Sequence, residues 1–208
     1  MKRKVFFWNY QMLALSLTLA LGLAAPAAAQ DFSSFYVTPK IMASYQKADM
    51  NGSHERGSVL GLGLSLGTDL SYSSSLPIRV EAEYLYHGNQ TFTGNGIAHD
   101  VSAHSILANA FLDIQTDTFF TPYFGGGLGL AVLNDRYTSA NSTKTSRWNF
   151  AWNLGGGLAW SLNENLALDI GYRYMDLGKV ETVTGAGGPY NLSLTAHELS
   201  LGLRIMGF

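Results

Sequence analysis

Cysteine is absent from this chain of 208 residues. Disulfides, a lipid-bearing cysteine and thiol chemistry are therefore excluded. Charge is scarce as well: Asp, Glu, Lys and Arg make up only 13% of the chain, with thirteen basic side chains against fifteen acidic ones. Three of the thirteen, Lys2, Arg3 and Lys4, stand at the extreme N-terminus, so ten face fifteen over the rest. That mild negative balance leaves no basic patch for nucleic acid. Apolar runs approaching the roughly 20 residues of a membrane-spanning helix are missing beyond the N-terminal segment. What remains is Gly, Ser, Thr, Asn and aromatic residues spread along the chain, a composition poor for helices and good for strands between polar turns.

The N-terminus has the three parts of a secretory signal. Lys2, Arg3 and Lys4 supply positive charge, an apolar stretch runs from Met12 to Leu23, and Ala27, Ala28 and Ala29 supply the small residues a signal peptidase needs. Cleavage between Ala29 and Gln30 is expected, giving a signal peptide over 1–29 and one domain over 30–208.

Period-2 alternation of apolar and polar residues occurs eight times and predicts strands over 35–46, 59–70, 78–87, 101–114, 119–133, 148–162, 166–177 and 192–206. Each is long enough for a tilted strand to cross a membrane. The connections alternate. "KADMNGSHERGS", "GNQTFTGNGIAHD", "NDRYTSANSTKTSR" and "GKVETVTGAGGPYN" are long and polar, whereas "SYSSSLP", "QTDT" and "NEN" are short. In an up-and-down meander this order puts every long connection at one end, as in outer-membrane barrels.

In the segment "IRVEAEYLYH", Ile78, Val80, Ala82, Tyr84 and Tyr86 share one face while Arg79, Glu81, Glu83 and His87 share the other. Aromatic placement tells which face meets lipid. Tyr45, Tyr84, Tyr86, Phe150, Trp152, Tyr172 and Tyr174 gather on apolar faces beside the long connections, and Tyr72, Phe124 and Trp160 near the short ones. Between them the same faces carry Leu62, Leu64, Val80, Leu128, Leu130, Leu154, Leu168, Ile170, Leu201 and Leu203. Two aromatic girdles around an aliphatic band match the two membrane interfaces. Strands in lipid must close, since an open edge cannot stay unpaired there. The expected fold is all-β: a membrane-spanning, eight-stranded antiparallel up-and-down barrel with four long extracellular loops and short periplasmic turns.

"TPYFGGGLGLA" from Thr121, "FAWNLGGGLAWSLNENLALDIGYRYMDLG" from Phe150 and the closing "AHELSLGLRIMGF" resemble the eight-stranded outer-membrane β-barrel domain family of Gram-negative bacteria. That family groups opacity-type surface proteins and small porin-family proteins, and the similarity covers essentially the whole chain after the signal. The resemblance implies an integral barrel of the bacterial outer membrane, exposed at the cell surface. It also implies that Phe208 is the signal read by the barrel-assembly machinery. Leu201, Leu203 and Ile205 are in phase with the lipid-facing row but Phe208 is one residue out, and a bulge at Gly207 would restore it. Pro39 departs too: its missing N–H predicts an irregular or bulged first strand.

The inward faces carry a charge network: Lys40, Asp69, Arg79, Glu81, Glu83, Asp169, Arg173, Glu198 and Arg204. Register arithmetic allows Arg173 to meet Glu198 and Asp169 to meet Arg204, with Asp69 and Arg79 across a short turn. In a bore this narrow such charges are expected to form a satisfied plug rather than a selectivity ring. The glycine-rich "YFGGGLGLAVL" is no phosphate loop, since Leu130 stands where the last glycine is required. As strand, it points Gly125, Gly127 and Gly129 to the lumen, joined by Gly155 and Gly157, and these are expected to leave room for the charged side chains opposite.

Catalytic parts are weaker. His104 with Ser102, and His197 with Ser200 and Glu198, are candidates for a hydrolase, but nothing in the spacing brings nucleophile and base together. Five scattered histidines (His54, His87, His99, His104, His197) and the acids Asp49, Glu55, Asp135 and Glu181 show no metal-ligand spacing. No catalytic residue, metal or cofactor is therefore expected. The function expected is a surface barrel with a structural or adhesin-like role through its loops. Its partners would be outer-membrane lipid and lipopolysaccharide, the assembly machinery, and a host-surface or matrix ligand. The alternatives are a lipid A-modifying enzyme and a narrow-pore porin.

Overall fold

A computed structural model of the chain describes residues 34–50, 53–71, 76–94, 97–137, 143–184 and 188–207. The expected signal peptide with its Ala29/Gln30 junction, the girdle residue Tyr72 and the terminal Phe208 lie outside these residues. Eight strands follow in order: β1 (Phe35–Met50), β2 (Ser53–Asp69), β3 (Ile78–Gly94), β4 (Ile97–Asp113), β5 (Phe120–Tyr137), β6 (Thr143–Asn163), β7 (Leu166–Thr184) and β8 (Gly188–Met206). Each pairs antiparallel with the next, and β1 pairs with β8 to close the barrel. Closure leaves no edge in the hydrocarbon layer.

The alternation sorts side chains as a membrane barrel requires. Along β1, Tyr36, Thr38, Met42, Ser44, Gln46 and Ala48 are buried while Ile41, Ala43 and Tyr45 are exposed. Along β3, Arg79, Glu81, Glu83, Leu85 and His87 are buried while Val80, Ala82 and Tyr84 are exposed. Large aliphatic side chains face outward, Leu60 being 78% and Leu154 63% exposed, which is tolerable only where the surroundings are themselves apolar.

The strands outrun the expected ones at the long-connection end. β1 continues to Met50 and β2 begins at Ser53, β6 begins at Thr143, and β8 begins at Gly188. Most of the polar connecting sequence is therefore two-stranded ribbon. Its Thr, Tyr and Val residues suit strands, and pairing satisfies the backbone above the membrane. Asn51-Gly52 and Asn95-Gly96 occupy the intervals between β1 and β2 and between β3 and β4, and Asn-Gly is a strong hairpin signal.

Two bulges mark where ribbons leave the common wall. Gly88 in β3 (φ 69°) and Gly178 in β7 (φ 85°) adopt left-handed conformations, which only glycine takes at little cost. The register against the following strand shifts at each, between Tyr86 and Asn89 and between Asp176 and Lys179. At the same levels the β2–β3 ladder ends at Leu62↔Tyr86 and the β6–β7 ladder at Trp152↔Asp176.

Pro39 produces a gap rather than a bulge. It stays in register with Leu64 of β2, whereas pairing with β8 lapses between Val37↔Ile205 and Lys40↔Gly202 without changing register. The imide nitrogen removes a donor but inserts no residue. Gly207 takes φ 68°, and its N–H donates to the Phe35 carbonyl at 3.3 Å.

Candidate functional site

Inside the barrel two tiers of side chains lie along the axis. Toward the short turns, Arg79 on β3 donates from Nε to Asp113 Oδ2 (2.6 Å) and from Nη1 to Glu81 Oε1 (3.1 Å). The Tyr36 hydroxyl donates to the same Glu81 oxygen at 2.8 Å. The guanidinium lies over Tyr123 and Phe111, 4.9 and 5.2 Å from the ring centres, where cation–π attraction offsets part of its desolvation. Arg204 pairs with Asp169, which also accepts from the Tyr123 hydroxyl.

Further up, Glu83 is a hub whose side chain is 1% exposed. Its Oε1 accepts from Lys40 Nζ at 2.7 Å, and its Oε2 from Arg173 Nη1 at 2.7 Å and Asn109 Nδ2 at 3.0 Å. Arg173 donates again, from Nε to Glu198 Oε2 at 2.8 Å. Glu198 Oε1 lies 2.8 Å from His87 Nδ1, and His87 Nε2 lies 2.9 Å from Ser105 Oγ. Charge-assisted contacts of this kind are what make buried ions tolerable.

Of the inward charges named from sequence, eight therefore join contacts with one another. Asp69 does not join Arg79. The two face each other in register, but Asp69 Oδ1 accepts the Ser71 N–H at 2.9 Å, closing the adjoining turn, while Arg79 reaches to β4. A polar cavity of about 190 Å³ borders this end, lined by Asp69, Asp113, Gln115, Thr121, Ser161 and Arg204.

Both glycine strands are held close to backbone. A Cβ on Gly155 or Gly157 would run into the Tyr172 and Ile170 carbonyl oxygens of β7, and would also come against Arg173 Cβ at 2.5 Å and Tyr123 Cζ at 2.6 Å respectively. On β5 the obstacle is again the neighbouring strand. A Cβ on Gly125 or Gly129 would run into the carbonyl oxygens of Ala110 and Ile106, and one on Gly127 into the Asn109 side chain and the Ala108 carbonyl. These residues mark a tight bend of the wall against β4 rather than hollow space.

Toward the ribbons the lumen turns apolar. Leu85, Leu107, Ala131, Leu133, Met175, Leu177 and Leu194 are all buried there in one cluster. This tier was missed in the sequence because a strand that is apolar on both its lipid-facing and its inward side loses its alternation locally: Leu85 and Met175 stand at inward positions on faces otherwise marked by charge.

The histidines proposed for catalysis face outward and bind tyrosines. Tyr84 Oη lies 2.8 Å from His104 Nδ1, and Tyr172 Oη lies 2.8 Å from His197 Nδ1. Ser200 and Glu198 are on the lumen side of β8, opposite His197, and Ser200 Oγ donates to the Gly171 carbonyl at 3.4 Å. Adjacent strand residues point to opposite faces, so His197 forms no Ser–His–Glu arrangement with Ser200 and Glu198; the glutamate and serine that do meet a histidine are Glu198 and Ser105, at the buried His87. A repeat links the two clusters: Tyr84-x-Tyr86 with Ala103-His104, and Tyr172-x-Tyr174 with Ala196-His197. Among the described residues, no group of three or more His, Asp or Glu could hold a metal ion.

Outer-girdle aromatics are exposed as expected, among them Tyr45, Phe150 and Tyr172, and Phe124 and Trp160 are exposed near the short turns. The outer membrane protein PagN of Salmonella typhimurium is 26% identical over 141 residues, 59% of each chain, so this chain spans less than two thirds of its relative's length. Neisserial surface protein A superposes with a TM-score of 0.63 at 22% identity, over 83% of this chain and 96% of that one. Ail, the attachment invasion locus protein of Yersinia pestis, solved in complex with the heparin analogue sucrose octasulfate, superposes with a TM-score of 0.51 at 16% identity, over 83% and 99%. At these identities the structural likeness establishes the fold. The model of the outer membrane protein beta-barrel domain matches residues 15–204; with the closed eight-stranded wall and its lipid-facing girdles, this chain belongs to that family and is a protein of the bacterial outer membrane.

Proposed function

We propose that the barrel is a surface anchor for its outward ribbons, which adhere to a host-surface or matrix ligand, and that its lumen is closed to solutes. The observation that supports this reading is the contact of side chains across the interior. A tier of paired charges around Glu83 and Arg173 underlies an apolar tier around Leu85, Leu133 and Leu177, and eight strands give a bore that side chains can fill. Contact with the surroundings then falls to the ribbons, as polar exposed segments on a rigid scaffold commonly do. The relatives support the class: Ail is by its description an attachment and invasion protein, bound in its structure to a heparin analogue.

Heparin is accordingly the first ligand to test. Deleting 136–146, the end of the β5–β6 ribbon, is expected to abolish binding to heparin-coated surfaces and host cells while the barrel still folds and shifts in a heat-modifiability gel. Undiminished binding would remove this ribbon from the reading. The closed lumen is tested separately in planar bilayers, where the purified barrel is expected to give no stable conductance; large, steady channels would overturn it.

A further inference from the structure

Lys47 and Arg56 stand directly opposite each other across the β1–β2 ladder. Both are exposed and on the outward face, in line with Tyr45 on β1 and Ser58 on β2. Like charges so placed repel. Among the described residues neither has a side-chain partner. Of the nearby carboxylates, Asp49 meets His54 at 3.2 Å, Asp176 accepts the Gly178 N–H at 2.8 Å, and Glu55, opposite the buried Ala48, lies on the other face of β2.

Their height on the barrel indicates what lies against them. The row below runs Tyr174, His197, Tyr45 and Ser58 across β7, β8, β1 and β2, which is the outer aromatic girdle and hence the headgroup boundary. Lys47 and Arg56 are two residues further along their strands. At about 3.4 Å per residue and a tilt of about 40°, that is roughly 5 Å above the girdle, level with headgroups rather than with ribbon tips. His197 adds a further polar contact. Its Nδ1 is held by the Tyr172 hydroxyl, and its Nε2 has no partner among the described residues.

We propose that this face of β8, β1 and β2 binds a phosphorylated glycolipid of the outer leaflet, Lys47 and Arg56 together taking one phosphate and His197 Nε2 an oxygen of the adjoining sugar or ester. The anion removes the repulsion between the two cations, and the lateral aspect of the pair favours a lipid over a soluble sulfated polymer. The site is independent of the adhesive role assigned to the ribbons. The fold contains its own control: the Tyr84, Tyr86 and His104 cluster repeats the girdle, but above it Asn89 faces Ser102 and Ser102 faces Asn134, all uncharged.

Native mass spectrometry of the folded barrel in detergent tests this, with bisphosphorylated lipid A, the same lipid dephosphorylated, and a heparin oligosaccharide as probes. The barrel is expected to retain the phosphorylated lipid on the order of tenfold or more over the dephosphorylated one, the scale for two cations at an anionic lipid surface. K47Q/R56Q should erase that preference and H104Q should leave it intact. In lipid-free detergent K47Q/R56Q should melt at the same temperature or higher, because repulsion is relieved, so lost folding cannot imitate lost binding. Equal retention of the two lipids by the unaltered barrel, or an undiminished preference in K47Q/R56Q, overturns the site. Displacement of the lipid by heparin at this pair overturns its assignment to a lipid.

Discussion

Glu83→Gln is expected to destabilise the barrel by about 3 kcal/mol, the lower end of the roughly 3–5 kcal/mol that breaking a buried pair costs. Glu83 balances two cations, Lys40 and Arg173, each at 2.7 Å. Glutamine keeps the shape and the Asn109 contact but removes the charge. Lys40 is then left with Glu81 at 3.9 Å, while Arg173 keeps Glu198 at 2.8 Å. That retained partner is why the lower end applies. Glu164→Gln, exposed in the turn between β6 and β7, should change stability by less than about 0.5 kcal/mol. Urea unfolding in lipid vesicles, followed by tryptophan fluorescence, measures both. Equal, small losses would mean that the lumen is hydrated enough to screen its charges, and the account of a paired interior would fail.

The second large effect belongs to the wall. Gly129→Ala should cost at least about 1–3 kcal/mol, the range for overpacking, and is expected to lower the temperature at which the barrel unfolds on a heat-modifiability gel. The added Cβ would run into the Ile106 carbonyl oxygen and come within 2.8 Å of Leu107 Cα. Both are backbone atoms of β4, which can yield only if the β4–β5 ladder opens. Gly171→Ala is the comparison. Its Cβ would meet Ser200 Oγ at 2.8 Å and Tyr123 Oη at 3.1 Å, ends of side chains that can rotate aside, so a loss below about 1 kcal/mol is expected. Indistinguishable unfolding temperatures for the two variants would refute the tight-bend account of the β5 glycines.

Much of the architecture was legible because it is local. Strand number, antiparallel order and the face that meets lipid follow from period-2 alternation and from aromatic residues at strand ends, both of which survive without knowledge of any long-range contact. The strand ends were less legible. Polar ribbon residues look like loop by composition, although Asn-Gly, present at 51–52 and 95–96, is a hairpin signal in a sequence. The repeat of Tyr-x-Tyr and Ala-His was also present in the sequence. It went unread because the tyrosine–histidine bond in each copy joins different strands.

The charges show where reading by register stops. Facing numbers bring Arg173 to Glu198, yet they say nothing of Glu83, four strands away in the order, on which Arg173 also closes. Asp113 was not among the expected network, and it holds Arg79 at 2.6 Å in place of Asp69. A swap of charges between Arg173 and Glu198 would set two carboxylates together at Glu83, so the pair cannot be treated in isolation.

The sequence by itself determined that this chain is an eight-stranded outer-membrane barrel and which face of its strands meets lipid. Only the tertiary structure decided which inward residues meet: Lys40 with Glu83, His87 with Glu198, Tyr123 with Asp169, and the apolar tier above them. Each of the three named pairs joins strands that are not neighbours in the wall. They exist because closure and stagger fold the sheet back across its own bore, a long-range condition that no local periodicity encodes.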